Sequence, residues 1–123
     1  MKKIAFILTF LFSATSFAQS PCSSGRYAND VFTNFTVTSN VVYGQNNTWS
    51  GAANQLKLDF YEPTGDTELA RPLIIWVHGG GFIGGDKFEV KEYATRLAYE
   101  GYYVMVLNYD LVPSAKYPEP VIQ

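Results

Sequence analysis

Four consecutive residues, His78-Gly79-Gly80-Gly81, follow the apolar run Leu73-Ile74-Ile75-Trp76-Val77 and lead into Phe82-Ile83-Gly84-Gly85-Asp86. Three glycines in a row leave three main-chain amides unshielded by side chains, so a developing negative charge can come within hydrogen-bond reach of the backbone. That is the outline of an oxyanion hole. His78 is the only histidine in the chain and therefore a candidate for proton transfer. Asp86 and Asp110 are the acids nearest the loop; an Asp just before a helix that starts around Lys87 or Phe88 is placed to cap it, and both acids read as capping or solvated groups with no catalytic part.

Two other glycine chemistries compete for the same stretch. Gly79-Gly80-Gly81-Phe82-Ile83-Gly84 satisfies the G-x-G-x-x-G spacing of a dinucleotide site, with Asp110 near the end of the next strand where a ribose-binding acid would stand. A fingerprint helix would begin within these glycines, however, and would then contain Gly84-Gly85, each costing about 1 kcal/mol relative to Ala. A phosphate-binding P-loop fails because Asp86 occupies the position that needs Lys. A glycine turn that serves close packing alone is the remaining reading.

The elements that must hold this loop are legible from periodicity. Phe35, Val37, Ser39, Val41 and Tyr43 alternate with Thr36, Thr38, Asn40 and Val42 as an extended strand, Gly44-Gln45-Asn46-Asn47 reads as a turn or short loop, and Leu56, Leu58 and Phe60 mark a second strand ended by Pro63-Thr64-Gly65-Asp66. This pair suits an antiparallel start to a sheet. Leu73–Val77 and Val104–Leu107 are apolar without alternation, the pattern of strands covered on both faces. Between them Val90, Tyr93, Ala94, Leu97 and Ala98 recur at helical spacing, and Gly101 stands as the stop. The expectation is a βαβ unit, with its parallel strand pair and right-handed crossover.

Met1-Lys2-Lys3, the apolar stretch Ile4–Phe12 and Ser16-Phe17-Ala18 have the order of a secretory leader, so residues 1–18 read as a signal peptide and the mature chain as beginning near Gln19. The apolar run is too short for a membrane span, and stable membrane insertion after signal removal is not expected. The full chain carries nine basic and eleven acidic residues; without Lys2 and Lys3 seven basic remain against eleven acidic, a net charge of −4. No basic run is present to track phosphates, which argues against nucleic acid as a partner. Cys22 is the single cysteine. Gln19-Ser20-Pro21 before it lacks the small apolar residues of a lipidation signal, so its expected partner is a thiol outside this sequence. Pro21–Asn29 reads as a polar lead-in, and residues 19–123 as part of one domain.

From about Leu56 onward the motifs resemble those of α/β-hydrolase carboxylesterases and lipases. They are Leu58-Asp59-Phe60-Tyr61-Glu62-Pro63, Arg71-Pro72, the His-Gly-Gly-Gly loop after a strand, Asn108-Tyr109-Asp110-Leu111-Val112-Pro113 and Tyr117-Pro118. The resemblance implies an α/β fold, the N-terminal part of an α/β-hydrolase sheet: antiparallel first strands, then a βαβ unit. The Val104–Leu107 strand would lie between the Leu56–Tyr61 and Leu73–Val77 strands. It also implies that Gly80 and Gly81 are the amide donors of the oxyanion hole, that Gly79 supplies the bend and that His78 supports the loop, the triad histidine coming later in the chain order Ser, Asp or Glu, His. An arginine is common in that family where Asp110 stands, so any ion pair at that position is altered here.

No G-x-S-x-G occurs in the 123 residues. By the resemblance, Tyr117–Gln123 looks like the approach to the helix before the nucleophile strand, so none of the triad is expected in this chain. The reading is a fragment of a secreted or periplasmic carboxylic-ester hydrolase, inactive and not a stable monomer alone, whose parent takes a small-molecule or polysaccharide-linked ester and needs no metal or organic cofactor. A secreted serine peptidase of the same fold and a non-catalytic α/β-hydrolase-like binding domain are the alternatives. Oligomeric state is not legible from these residues.

Overall fold

The computed structural model describes residues 24–112. The leader, Cys22 and the Tyr117–Gln123 stretch lie outside the described residues. Four strands form one sheet: β1 (Phe35–Asn47), β2 (Ala53–Pro63), β3 (Leu73–Val77) and β4 (Tyr103–Leu107). A 3₁₀ turn at Lys87–Val90 leads into the helix α1 (Lys91–Tyr99) between β3 and β4. The order across the sheet is β1-β2-β4-β3. β1 and β2 are antiparallel, as are β2 and β4, whereas β3 and β4 run parallel from Leu73↔Tyr103 to Val77↔Leu107. The antiparallel start, the βαβ unit and the insertion of β4 between β2 and β3 thus agree with the sequence.

Helix α1 turns Ala94 and Ala98 against Tyr61, Val104 and Val106, and these five buried residues form the core. Ile74, Trp76, Leu97 and Phe35 pack around them. Alanines at the contact let the helix approach the sheet closely, and the valines of β4 fill the pleat beneath. Tyr93 sits at the margin of this layer: it is exposed on one side and stacks on Trp76 with the other, 5.5 Å between centroids.

Three sequence expectations are corrected. Gly44–Asn47 is no turn. The ladder continues through Gln45↔Gln55, Asn46↔Asn54 and Asn47↔Ala53, and the reversal falls at Thr48–Ala52, where Gly51 takes φ +84° and the Thr48 carbonyl accepts from its amide. Turn-forming side chains are overridden there because Asn46 and Asn54 both find a tertiary partner in Asp110. Second, the strands of the βαβ unit are covered on one face only among the described residues; Leu73, Ile75 and Val77 of β3 point away from α1 and are exposed. Third, the polar lead-in is a strap. Tyr27 donates its amide to the Glu100 carbonyl, Val31 and Phe32 donate theirs to Tyr99, and the buried Arg26 guanidinium donates to Gly101. The carbonyls that α1 leaves unpaired at its C-terminus are satisfied by this segment.

Candidate functional site

The site lies at the C-terminal end of β3 and β4. Val77 is the last residue paired with β4, and His78 follows as a buried residue, 4% exposed. Its Nδ1–H donates to the Gly79 carbonyl at 2.8 Å, its ring stacks on Tyr109 at 4.6 Å and 19° from parallel, and the Tyr109 hydroxyl donates to the His78 carbonyl at 3.1 Å. Nε2 is buried without a hydrogen-bond partner among the described residues. One ring nitrogen is thus committed to the backbone and the other is buried.

The glycines beyond it are needed for different reasons. Gly80 has φ +129°, and a Cβ there would lie 1.9 Å from the Gly84 carbonyl oxygen. Gly85 has φ +105°, and its Cβ would meet His78 Nδ1 at 2.3 Å, so the imidazole rests on a glycine. Gly81 has φ +61° in open space, and Gly79 is unobstructed. Phe82 shares the left-handed backbone at φ +65° without being glycine, a conformation with a steric cost, and its carbonyl is pinned by the Val112 amide at 2.7 Å. The Gly80 carbonyl accepts from Ile83 and Gly84, closing a tight turn.

This turn leaves the Gly80 and Gly81 amides with no acceptor among the described residues. His78, Gly79, Gly80 and Gly81 border a cavity of about 510 Å³ whose other walls are Tyr43, Val77, Phe82, Leu107 and Tyr109. The arrangement is a pair of unfilled N–H donors beside an apolar space, where a hydrogen bond to a developing charge is stronger than in water.

Asp86 and Asp110 part company. Asp86 caps the 3₁₀ turn: Oδ1 accepts from the Phe88 amide and Oδ2 from Asn108 Nδ2, each at 2.7 Å. The Phe88 amide, with the Asn108 donor, Lys87 and His78 adding to it against partial burial, holds the carboxyl below the usual carboxylate range. Asp110 is not solvated but 2% exposed, and it accepts from the amides of Asn46 and Asn54 on the β1–β2 pair. Two contributors went unread in the sequence. Tyr43 reaches from β1 to donate to the Asn108 carbonyl at 2.9 Å, and the Asn108 side chain bonds to the loop exit. The available signal was a pair of polar residues, Asn108-Tyr109, immediately after an apolar strand.

Among the described residues, no group of three or more His, Cys, Asp or Glu side chains could hold a metal ion, and no helix is long and apolar enough to cross a membrane. The BD-FAE family model matches residues 58–123. Esterase B from Lactobacillus rhamnosis, solved with a tributyrin phosphonate, is 26% identical with a TM-score of 0.59 over 80% of this chain and 30% of its own. A bacterial heroin esterase is also 26% identical, with a TM-score of 0.54 over 72% of this chain and 26% of its own. The hyperthermophilic esterase from Pyrobaculum calidifontis, at 24% identity and a TM-score of 0.50 over 77% of this chain and 27% of its own, shares the fold. The chain thus spans between a quarter and a third of the length of these structures. No curated protein matches the sequence.

Proposed function

The chain belongs to the BD-FAE family of α/β-hydrolases, and on that premise we propose that it supplies the oxyanion-stabilising part of a secreted or periplasmic carboxylic-ester hydrolase. The observation that carries this reading is that the Gly80 and Gly81 amides, beside an apolar cavity, have no acceptor among the described residues. In the complete reaction a serine Oγ attacks the ester carbonyl, a histidine takes its proton, and the carbonyl oxygen gains charge as the carbon becomes tetrahedral. The two amides bond to that oxygen, and they do so more strongly in the tetrahedral state than in the ester, which lowers the barrier. Collapse expels the alcohol, which takes the proton back from the histidine, and water deprotonated by the same base then releases the acid and restores the serine.

The serine, the orienting acid and the base are assigned to residues other than those described, since no G-x-S-x-G occurs from Met1 to Gln123. His78 is assigned to loop support. The cavity walls, Val77, Phe82, Leu107 and the rings of Tyr43 and Tyr109, fit the apolar side of a small-molecule or polysaccharide-linked ester. The reaction as written uses no metal or organic cofactor.

The test is to express the whole in-frame product that begins with this chain and to assay it on short-chain nitrophenyl esters and on peptide substrates. The reading expects ester turnover that is abolished when a downstream G-x-S-x-G serine is replaced by alanine. Peptide turnover without ester turnover, or ester turnover indifferent to that serine, would overturn it.

A further inference from the structure

We propose that Asn108 is a positioning residue for the oxyanion amides, acting as a clamp that fixes the exit of the glycine loop to the end of β4. The inference rests on the esterase reading above. Asn108 is the first residue beyond β4, and its own amide donates to the Lys57 carbonyl at 2.9 Å, so its backbone is anchored to β2. Its side chain then uses both ends. Oδ1 accepts from the Lys87 amide at 2.6 Å, and Nδ2 donates to Asp86 Oδ2 at 2.7 Å. The two groups fix which way the amide points, because Lys87 N–H can only donate and the Asp86 carboxylate only accepts.

The consequence for the loop is geometric. Its entry is held where Val77 pairs with Leu107, and its exit is held one residue later on the same strand end by Asn108. Between these points Gly79–Gly81 and Gly84-Gly85 have no side chains to fix the backbone and Phe82 is held through its carbonyl by the Val112 amide, so the direction of the Gly80 and Gly81 amides depends on how the two ends are fixed. Asn108 also joins the loop to the cavity wall, because its carbonyl accepts from Tyr43. Few side chains can replace it: Leu has the shape without the bonds, and Asp keeps the acceptor for Lys87 but turns a like charge on Asp86.

This asymmetry supplies the experiment, run on the whole in-frame product. The variants are N108L, N108D and the exchanged pair D86N/N108D, in which position 86 becomes the donor and position 108 the acceptor while the cap on Phe88 is kept. A misplacement of about 1 Å costs on the order of 10²-fold in rate. The expectation is therefore a fall of at least about 10-fold in kcat for both single variants with KM nearly unchanged, and recovery to within a few-fold of wild type in the exchanged pair. Amide hydrogen exchange at Ile83 and Gly84, which reports the Gly80 turn, should quicken in the single variants and slow again in the pair. Wild-type kcat in N108L, or loss in N108D that the exchange does not recover, overturns the clamp. If N108D does not fold, the pair and N108L still decide it. An inactive wild type removes the esterase reading, and the exchange rates then judge the clamp separately: unchanged protection at Ile83 and Gly84 in N108L overturns it as well.

Discussion

The imidazole of His78 lies on the phenol ring of Tyr109, and the hydroxyl of the same tyrosine bonds to the His78 carbonyl. One residue thus holds both the side chain and the backbone at the point where β3 becomes the glycine loop. Tyr109→Phe keeps the stack and removes the donor, so the loss should be that of one hydrogen bond, about 1 kcal/mol in stability. Tyr109→Leu removes both the donor and the ring face and should cost more. Thermal unfolding of the whole in-frame product orders the three proteins, and equal stability of the Phe and Leu variants would show that the stack contributes nothing.

The loop-bearing βαβ unit was legible because each of its signals is local: apolar runs, helical spacing of Ala94 and Ala98, a stop at Gly101 and three glycines after a strand. The His78 support role and the choice of Gly80 and Gly81 are what the family resemblance implies, and they stand as part of the proposal. What local pattern concealed was long-range. Asn46 and Asn54 carry turn composition but serve Asp110 more than fifty residues away, and Arg26 looks like part of a solvated lead-in but reaches Asp66 and Gly101. Asp110 was misread because a carboxylate was assumed to seek water, whereas two amide donors satisfy it under cover.

The three site glycines should respond differently to alanine. Gly79 has open space and needs no left-handed backbone, so Gly79→Ala should leave turnover near wild type. Gly81 is open but has φ +61°, which costs an L-residue about 1–2 kcal/mol. Gly80→Ala drives a Cβ into the Gly84 carbonyl and should displace the turn, and Gly80→Pro removes its amide outright. Loss of an oxyanion donor is worth on the order of 10²–10³ in kcat. Steady-state kinetics on the folded variants give the ranking, and wild-type kcat in Gly80→Pro would refute its assignment.

Asp66 makes the strap sensitive to acid. Burial raises its pKa, but the Arg26 hydrogen bond, the Glu68 amide and the charges of Arg26 and Arg71 outweigh that and hold the carboxyl below its ordinary value. A depressed folded pKa means that the contribution is complete above the unfolded value, about 4, and is lost as the pH falls through the lower folded one. Acid unfolding should therefore be less steep below pH ~4 in Asp66→Asn. The variant should also lose about 3–5 kcal/mol at neutral pH, because Arg26 and Arg71 remain buried without their partner. An unchanged acid profile would remove Asp66 from the account.

Export is a separate expectation. The positive, apolar and small-residue regions of residues 1–18 are in the order a leader requires. N-terminal sequencing of exported material should return Gln19 or a residue within a few positions of it, and Met1 would end the proposal.

The 123-residue chain made by itself should neither turn over esters nor remain monomeric. The first expectation follows from the sequence, which offers no G-x-S-x-G serine for the Gly80 and Gly81 amides to assist. The second follows from β3. It is the outer strand in the order β1-β2-β4-β3, with no neighbour on its far side among the described residues, and Leu73, Ile75 and Val77 are 45%, 58% and 56% exposed. An apolar edge strand with no neighbour on its outer side among the described residues and no charge along Leu-Ile-Ile-Trp-Val is a template for pairing with another copy. Ile75→Lys places a charge on the exposed face while leaving Ile74 and Trp76 against α1, so it should blunt association with little loss of folded structure. Sedimentation velocity of the two proteins compares them directly. A monomeric parent chain, or equal association in Ile75→Lys, would show that this edge is already protected, and serine-dependent ester hydrolysis by the chain alone would overturn its assignment as one part of a larger active site.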